Sequence, residues 1–470
     1  MFIGRETELK FLNNKYNEEN GQLIVLYGRR RVGKTFLVRE FFDNEFTFQL
    51  SGLANSNTKE QLFNFHMTLK RYVDKDISVP QNWIEAFGQL IDYIEAYPSS
   101  RKTIFLDELP WLDTPYSNFI QAFEHFWNGW ASARHDIFLI VCGSATSWIT
   151  DKLINNHGGL HNRLTYKMRL EPFTLKECEE FFNNREIELN RYQIAECYMI
   201  MGGIPYYLNM IVKGFSIYQN IDMLFFTENA QLRNEFENLY ASLFKNSNSY
   251  IKVVEALSKK NKGLSRKEIT ELTKIPTSGN LSTILKNLES CGFIRSYNAF
   301  GKRERDKLYQ LMDFYTLFYF KYIKANEYND EMFWTNSVGT PLHNSWAGYA
   351  YEMLCLNHIK QIKNALGILG VQSNVSTWKS VQSEKGAQID LLIDRKDQTI
   401  NVCEIKFSTD NFSITKAYDE NLRNKISSFR QETKTKKALH LTLITTYRLT
   451  ANKYSGMIQK EVVLDNLFNI

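Results

Sequence analysis

The chain has 470 residues, 43% of them hydrophobic, and at about 150 residues per domain this length suggests about three domains. Six scattered cysteines argue against a disulfide framework or a zinc site, and neither a bilayer-spanning apolar stretch nor a signal-peptide pattern is visible, so we expect a reduced, cytoplasmic protein. The net charge is +5, but residues 251–310 carry 13 Lys and Arg against 6 Asp and Glu, which indicates either an anionic partner or a solvated surface.

The first predicted elements are an apolar strand, a glycine loop and a helix in GQLIVLYGRRRVGKTFLVREFF (residues 21–42). The loop matches GxxxxGK[ST], in which backbone N–H groups and a helix N-terminus hold phosphate oxygens. We therefore predict that Lys34 reaches the β- and γ-phosphates of ATP and that the Thr35 hydroxyl ligates Mg²⁺. The predicted nucleotide-binding residues are Gly28, Arg29, Arg30, Arg31, Val32, Gly33, Lys34 and Thr35.

Two more predicted strands, KTIFLDELPWL (102–112) and IFLIVCGSATSWI (137–149), end in polar residues. Asp107 is predicted to bind Mg²⁺ together with Thr35, and Glu108 to polarise the water that attacks ATP. Ser144, or one of the two hydroxyl residues that follow it, would sense the γ-phosphate or orient that water. The alternative for all of them is a solvated polar turn after a buried strand.

The basic middle block reads as three helices and a hairpin, which is the winged-helix plan. Ser265 and Glu268 have the spacing of a capping box. The recognition helix would begin near Ser278, and a basic wing would contact phosphates. The predicted DNA-facing residues are Ser278, Asn280, Ser282, Thr283 and Lys286, with Lys302, Arg303 and Arg305 in the wing. The alternative is a protein-interaction or spacer module.

Near the C-terminal end, GAQIDLLIDR (386–395) and TINVCEIKFS (399–408) predict two strands of a hairpin. Asp390 and Glu404 lie on its two arms, and Lys406 shares a strand face with Glu404. The upstream helix SWAGYAYEMLCLNHI would bring in Glu352, and a helix and the strand ALHLTLITTY follow the hairpin. Carboxylates with a lysine predict a Mg²⁺ site that orients an attacking water. The alternative is a set of structural ion pairs.

The first half of the chain resembles the AAA-like P-loop ATPases of the archaeal type, relatives of the STAND signalling ATPases. FIGRETEL, which starts at Phe2, is similar to the family's opening box near the adenine. GGLHNRLTYKMRLEPF is similar to its arginine-containing segment, which implies Arg163 as the arginine finger. MGGIPYYL is similar to the Gly-x-Pro box of the helical lid, which implies Pro205 near the base. The lid box departs from many AAA+ proteins because it has no sensor-2 arginine.

The C-terminal region resembles the PD-(D/E)xK nuclease fold, in the form often called DUF234, which occurs fused to this ATPase family. The resemblance implies Asp390 and Glu404 as metal ligands and Lys406 as the residue that positions the nucleophile. It also implies Glu352 as the helix acid and Lys425 as an auxiliary position. Ile389 replaces the proline for which the fold is named.

These predictions combine into an α/β chain with a P-loop NTPase (AAA-like) core at 1–170, a helical lid at 171–245, a winged helix at 246–325 and a restriction-endonuclease-like α/β domain at 326–470. ATP and Mg²⁺ are the expected cofactors, and DNA is the expected partner of the last two domains. No membrane partner is expected, and an oligomer or a protein partner stays open.

Three functions fit these predictions. The first is an ATP-regulated DNase that hydrolyses phosphodiesters with a Mg²⁺-activated water. The second is a STAND-like switch that binds DNA or a protein without cutting. The third is a transcriptional or mobile-element regulator that reads DNA through the winged helix.

Overall fold

The structure is a computed structural model that describes residues 3–74, 76–155, 158–160, 162–302, 306–324, 326, 330–382 and 386–469. Phe2, Arg303 and Arg305, which the sequence singled out, lie outside the described residues. The chain divides into two compact units, Met1–Pro172 with Ala241–Lys245, and Phe173–Tyr240 with Asn246–Ile470. Among the described helices, none combines the length and the apolar character that crossing a bilayer requires.

The first unit is built on a five-stranded parallel sheet in the order β2-β3-β4-β1-β5. Its strands are β1 (Gln22–Tyr27), β2 (Phe48–Ser51), β3 (Lys102–Asp107), β4 (Ile137–Gly143) and β5 (Tyr166–Arg169). Its helices are α1 (Glu6–Tyr16), α2 (Lys34–Phe41), α3 (Thr58–Leu69), α4 (Trp83–Ala96), α5 (Leu109–Leu112), α6 (Phe119–Gly129) and α7 (Thr146–Ile149).

Burial explains why β4 and the middle of β3 are apolar. Every residue of β3 and β4 is buried, as expected for parallel strands that are covered on both faces. Phe87, Phe119 and Phe126 on α4 and α6 belong to the core that covers one of these faces. The three strands predicted from residues 21–42, 102–112 and 137–149 are therefore confirmed, and the P-loop NTPase fold with them.

The second unit begins with helices and continues into a small three-stranded sheet in the order β6-β8-β7. Its first helices are α8 (Leu175–Asn184), α9 (Arg191–Met201), α10 (Pro205–Leu208), α11 (Ile217–Phe225) and α12 (Glu235–Leu243), whose last residues belong to the first unit. Then follow α13 (Ser247–Ser258), β6 (Leu264–Ser265), α14 (Arg266–Thr273), α15 (Gly279–Ser290), β7 (Ile294–Tyr297) and β8 (Leu308–Leu311). We call residues 246–311 the helix–hairpin module.

The helices and hairpin predicted for the helix–hairpin module are confirmed. Ser265 caps α14, and Glu268 closes the capping box. The buried face of α15 is the predicted one, with Leu281, Ile284 and Leu288 inside. The segment thus has three helices and an antiparallel hairpin, the elements that the winged-helix prediction requires, and the winged helix itself stays a prediction.

The remaining chain forms the C-terminal α/β module, residues 341–469. After α16 (Phe314–Phe318) and α17 (Phe333–Ser337) come α18 (Pro341–Asn357), α19 (Ile359–Ala365), β9 (Ser373–Lys379), β10 (Gln388–Arg395), β11 (Thr399–Lys406), α20 (Lys416–Thr433), β12 (Ala438–Thr445) and β13 (Lys460–Val463). The sheet order is β13-β12-β11-β10-β9; β9, β10 and β11 are antiparallel, and β12 and β13 run parallel to β11. The predicted α-β-β-α-β order is present, with β9 and β13 added at the two edges.

A buried histidine connects the first and last parts of the second unit. His358 accepts a hydrogen bond at Nε2 from the Leu175 amide (3.2 Å), while its Nδ1 lies 2.8 Å from the Leu354 carbonyl. The accepting Nε2 requires the neutral ring, with its proton on Nδ1. Burial lowers the pKa of His358 to about 4, so the ring stays neutral at pH 7.

Candidate functional sites

The glycine loop between β1 and α2 has the backbone that a phosphate cradle requires. Gly28 adopts φ +144°, and a Cβ there would lie 2.3 Å from the Leu170 carbonyl oxygen, so a larger residue does not fit. Gly33 caps α2 at φ +93°. Lys34 donates to the carbonyls of Gly28 (3.1 Å) and Arg29 (3.0 Å), which folds its ammonium back over the loop.

Strand β3 delivers two acids beside this loop. Thr35 donates its hydroxyl proton to Oδ2 of Asp107 (2.9 Å), so the two predicted Mg²⁺ ligands lie side by side. Oδ1 of Asp107 accepts from the Cys142 thiol (2.6 Å) and from the Glu108 amide (2.9 Å). Burial and the Asp107 charge raise the pKa of the Cys142 thiol well above its usual value, so it stays a neutral donor. A hydroxyl beside a carboxylate fits a hard, oxygen-binding cation.

Glu108 and Ser144, predicted to act in hydrolysis, are in direct contact. The Ser144 hydroxyl donates to Oε1 of Glu108 (2.6 Å), and the Ser144 amide donates to Oε2 (3.1 Å). Glu108 itself has the left-handed backbone φ 47°, ψ 48°, which is uncommon outside glycine and turns the chain sharply after β3. Ser144 therefore contacts the acid that is predicted to polarise the water, and holds both of its oxygens.

Sequence reasoning missed Arg5, which anchors the opening segment to the loop. Its guanidinium donates to the carbonyls of Val32 (3.3 Å) and Glu171 (2.7 Å), and the side chain is buried. The segment was recognised as a box, but nothing in its pattern distinguished a buried arginine from a surface one.

The other predicted nucleotide-site residues remain predictions. Arg29 and Val32 are buried in the loop, Arg30 lies over the Trp111 ring at 6.0 Å, and Arg31 has a left-handed backbone. Arg163 is exposed before β5. Pro205 begins α10, in the second unit.

The second candidate site lies at the β10–β11 hairpin. Leu391 pairs with Cys403 in antiparallel register. Asp390, one residue before Leu391, is therefore opposite Glu404, one residue after Cys403, and the two side chains share one face. Glu404 is buried, and Lys406 lies 3.3 Å from its Oε1. The predicted grouping of these three side chains is therefore present in the structure.

Two residues of α20 hold Glu404 in addition to Lys406. Tyr418 donates its hydroxyl proton to Oε1 (2.7 Å), and Lys425 donates to Oε2 (2.7 Å). Burial and the Glu404 charge raise the pKa of Tyr418 far above its usual value, so its phenol stays protonated. Lys425 is the auxiliary position that the resemblance implies, whereas no pattern in the sequence indicates Tyr418.

Asp390 and Glu352 share a different lysine, which sequence reasoning also missed. Lys262, in the turn between α13 and β6, lies 2.7 Å from Oδ1 of Asp390 and 3.6 Å from Oε2 of Glu352. Burial and the Asp390 charge raise the pKa of Glu352 to about 7. Lysine ammonium groups thus contact all three acids, Glu352 on α18, Asp390 on β10 and Glu404 on β11.

The carboxylates of Asp390 and Glu352 fit a cation, because the Lys262 ammonium group already lies between them. Within the part of the chain that the structure describes, no group of three or more His, Cys, Asp and Glu is arranged to hold a metal ion.

The predicted DNA-facing residues of α15 are on its outer face. Ser278, Asn280, Ser282, Thr283 and Lys286 are exposed. The hairpin beyond β7 is partly engaged: the Phe300 amide donates to the Thr377 carbonyl on β9 (2.7 Å), and its ring packs edge-on against Phe429 at 5.1 Å. Lys302 is exposed. This part of the predicted wing is used within the protein, whereas the five predicted residues of α15 are exposed.

The glycine loop, the parallel sheet and the Thr35–Asp107 pair define a P-loop nucleotide-binding protein. Residues 2–211 match the model of a family described as an ATPase domain predominantly from Archaea. Residues 2–211 therefore resemble an ATPase domain of the archaeal type.

Two relatives come from Methanocaldococcus jannaschii. Uncharacterized protein MJECL04 is 26% identical over 421 residues, which cover 87% of this chain and 88% of that protein. Uncharacterized ATP-binding protein MJ0423 is 56% identical over 45 residues, which cover 10% of this chain and 76% of that protein.

Two solved structures are also similar in part. The Walker-type ATPase PABY2304 of Pyrococcus abyssi has a TM-score of 0.49 at 17% identity, over 68% of this chain and 96% of that one. The ORC2 protein of Aeropyrum pernix, solved with ADPNP and ADP, has a TM-score of 0.39 at 13% identity, over 68% of this chain and 93% of that one.

Proposed function

We propose that this chain is an ATP-regulated, divalent-metal-dependent DNA phosphodiesterase, in which the ATPase unit controls the carboxylate site of the C-terminal α/β module. The observation that carries the proposal is the convergence of Asp390, Glu404 and Glu352 with Lys406 around positions that cations already fill. An ordinary surface ion pair does not require acids from a helix and two strands to meet.

The topology of the C-terminal module supports the same proposal. A helix, the β10–β11 hairpin, a second helix and a strand parallel to β11 follow in the order that the PD-(D/E)xK resemblance implies, with β9 added before the hairpin. Asp390 and Glu404 occupy the two central strands, where that resemblance implies metal ligands. The isoleucine at 389 is buried in the module's core and fills the proline position with apolar packing.

In this proposal, Lys34 binds the phosphates of ATP, Thr35 and Asp107 hold Mg²⁺, and Glu108 orients the attacking water with Ser144 positioning its carboxylate. Arg163 acts as the arginine finger and Pro205 lies near the base, as the family resemblance implies. The exposed face of α15 contacts DNA, where phosphate contacts set affinity.

At the second site, Asp390 and Glu404 hold the divalent ion, which supplies an activated water when bound. Lys406 is 37% exposed at its side chain, so its ammonium faces both Glu404 and solvent. That placement suits it to position the water or a phosphate oxygen. Glu352 completes the acidic wall from α18.

The test is cleavage of plasmid and linear DNA by the full chain with Mg²⁺ or Mn²⁺, with and without ATP. Asp390→Asn and Glu404→Gln are compared with Asp394→Asn, a matched control on the same strand whose carboxylate pairs with Lys437 instead. We expect the wild type and the control to cleave and the other two variants to lose cleavage. Cleavage that survives Asp390→Asn would refute the assignment.

A second function is favoured by the ammonium groups that occupy the carboxylates: a STAND-like switch that binds DNA or a protein without cutting. It predicts ATP hydrolysis that DNA or a protein partner stimulates, with no cleavage by any variant. The same assay, read for phosphate release as well as DNA products, separates the two functions.

A further inference from the structure

The turn that carries Lys262 is fixed by hydrogen bonds to its backbone. Gln310 and Tyr349 donate to the Asn261 carbonyl at 2.6 and 3.1 Å, and the Tyr297 hydroxyl donates to the Lys262 carbonyl at 2.6 Å. Gly263 follows at φ +78°, where a Cβ would lie 2.5 Å from the Tyr309 carbonyl oxygen. The turn therefore presents Lys262 from one defined position.

From that position, the ammonium group lies 2.7 Å from Asp390 and 3.6 Å from Glu352. These acids come from β10 and α18 of the C-terminal α/β module, whereas the lysine comes from the helix–hairpin module. Two carboxylates that face each other repel unless a cation lies between them, and an ammonium group fulfils that role as a metal ion would.

We propose that Lys262 is a built-in competitor for the divalent cation, so that metal binds Asp390 only when the Lys262 ammonium leaves. The inference rests on the proposed metal site. The lysine side chain is 45% exposed, so its ammonium has solvent to move into while the hydrogen-bonded turn stays in place. The helix–hairpin module thereby sets the metal affinity of the C-terminal module.

The contact between the two modules does not depend on Lys262 alone. Phe300 packs on Phe429 and belongs to the hydrophobic cluster of the C-terminal module, and its amide binds β9. Removing the Lys262 charge should therefore leave the modules docked, which makes the substitution a clean test of competition.

The experiment measures Mn²⁺ affinity of the full, nucleotide-free chain by electron paramagnetic resonance of the free ion. We expect Lys262→Met to bind Mn²⁺ at least about tenfold more tightly than the wild type, because a metal no longer displaces an ion pair. Lys262→Arg keeps a cation and should keep the affinity low. Lys259→Met, an exposed lysine at the end of α13, is the matched control and should match the wild type.

Asp390→Asn, alone and combined with Lys262→Met, identifies the site that is measured. Equal affinity of wild type and Lys262→Met, with both weakened by Asp390→Asn, would overturn the competition and leave the metal site in place. If Asp390→Asn leaves Mn²⁺ binding unchanged in both the wild type and Lys262→Met, the competition and the proposed metal site are overturned together. A Lys262→Arg chain that binds like Lys262→Met would also overturn the proposal, because charge would not be the cause.

Discussion

The two acidic sites of this chain differ in what already contacts their carboxylates. In the ATPase site, Asp107 accepts from a hydroxyl, a thiol and an amide, none of which cancels its charge. In the C-terminal module, Glu404 contacts Lys406 and Lys425, and Asp390 contacts Lys262. A cation entering the first site replaces neutral donors, whereas a cation entering the second must displace ion pairs. The carboxylate of the proposed Mg²⁺ site in the ATPase unit therefore has neutral partners, whereas those of the proposed metal site in the C-terminal module are paired with the protein's own ammonium groups.

The largest expected effect is on nucleotide binding at the ATPase site. Lys34→Ala should weaken ATP binding by at least about a hundredfold, because it removes the ammonium that we propose binds the phosphates. Titration with a fluorescent ATP analogue measures this. Lys10→Ala, on the exposed face of α1, is the control. Unchanged ATP affinity in Lys34→Ala would show that Lys34 does not bind the phosphates, and the comparison of the two sites would fail.

The next effect separates binding from chemistry in that site. Glu108→Gln should retain ATP binding and lose hydrolysis by about 10²–10³-fold, since an amide cannot take the proton of the attacking water. Phosphate release measured at saturating ATP checks this. Turnover close to that of the wild type would show that Glu108 is not the base.

The comparison requires a folded second unit, and His358 makes the free energy of unfolding of that unit decrease at acid pH. Its pKa is lowered to about 4 by burial, below an unfolded value of about 6.5. The unfolded chain therefore binds the extra proton first, and stability falls as pH drops from about 6.5 to 4, by up to about 3 kcal/mol. Urea unfolding across this range should show the fall, and His358→Gln should lack that part of it. A wild-type unfolding free energy that is flat over the window would contradict the assignment.

The smallest expected effect concerns Ser144. Ser144→Ala removes the hydroxyl bond to Glu108 but keeps the amide bond, so we expect kcat for ATP hydrolysis to fall about tenfold with KM little changed. Lys10→Ala, on the exposed face of α1, is the control here too. A Ser144→Ala chain that raises KM instead would place Ser144 on the nucleotide rather than on Glu108.

The ATPase site was largely predictable because its residues are contiguous or stand at the ends of apolar strands. Gly28, Lys34 and Asp107 are defined by local motifs, and parallel strands bring those motifs to one edge of a sheet. The Ser144–Glu108 contact follows from the same strand ends, but its pairing depends on side-chain rotamers that no pattern encodes.

The C-terminal site was predictable only within its own module. The hairpin spacing predicted Asp390 and Glu404 on its two arms, and the amphipathic helix was expected to bring in Glu352; the register that sets the two acids opposite each other came from the structure. Lys262 is 128 residues away from Asp390 and belongs to a block with many other basic residues, so no local signal marks it. Strand β9 escaped notice because SNVSTWK is mostly polar, as an edge strand can be.

The most direct test of the whole account is whether the state of the ATPase site changes cleavage at the C-terminal site. DNA cleavage with Mn²⁺ is measured for wild type, Glu108→Gln and Lys34→Ala, each with and without ATP and each beside its Asp390→Asn double variant. The account predicts Asp390-dependent cleavage that responds to ATP in the first two proteins and ignores ATP in Lys34→Ala. Cleavage that is independent of Asp390, or an identical response to ATP in all three, would contradict it.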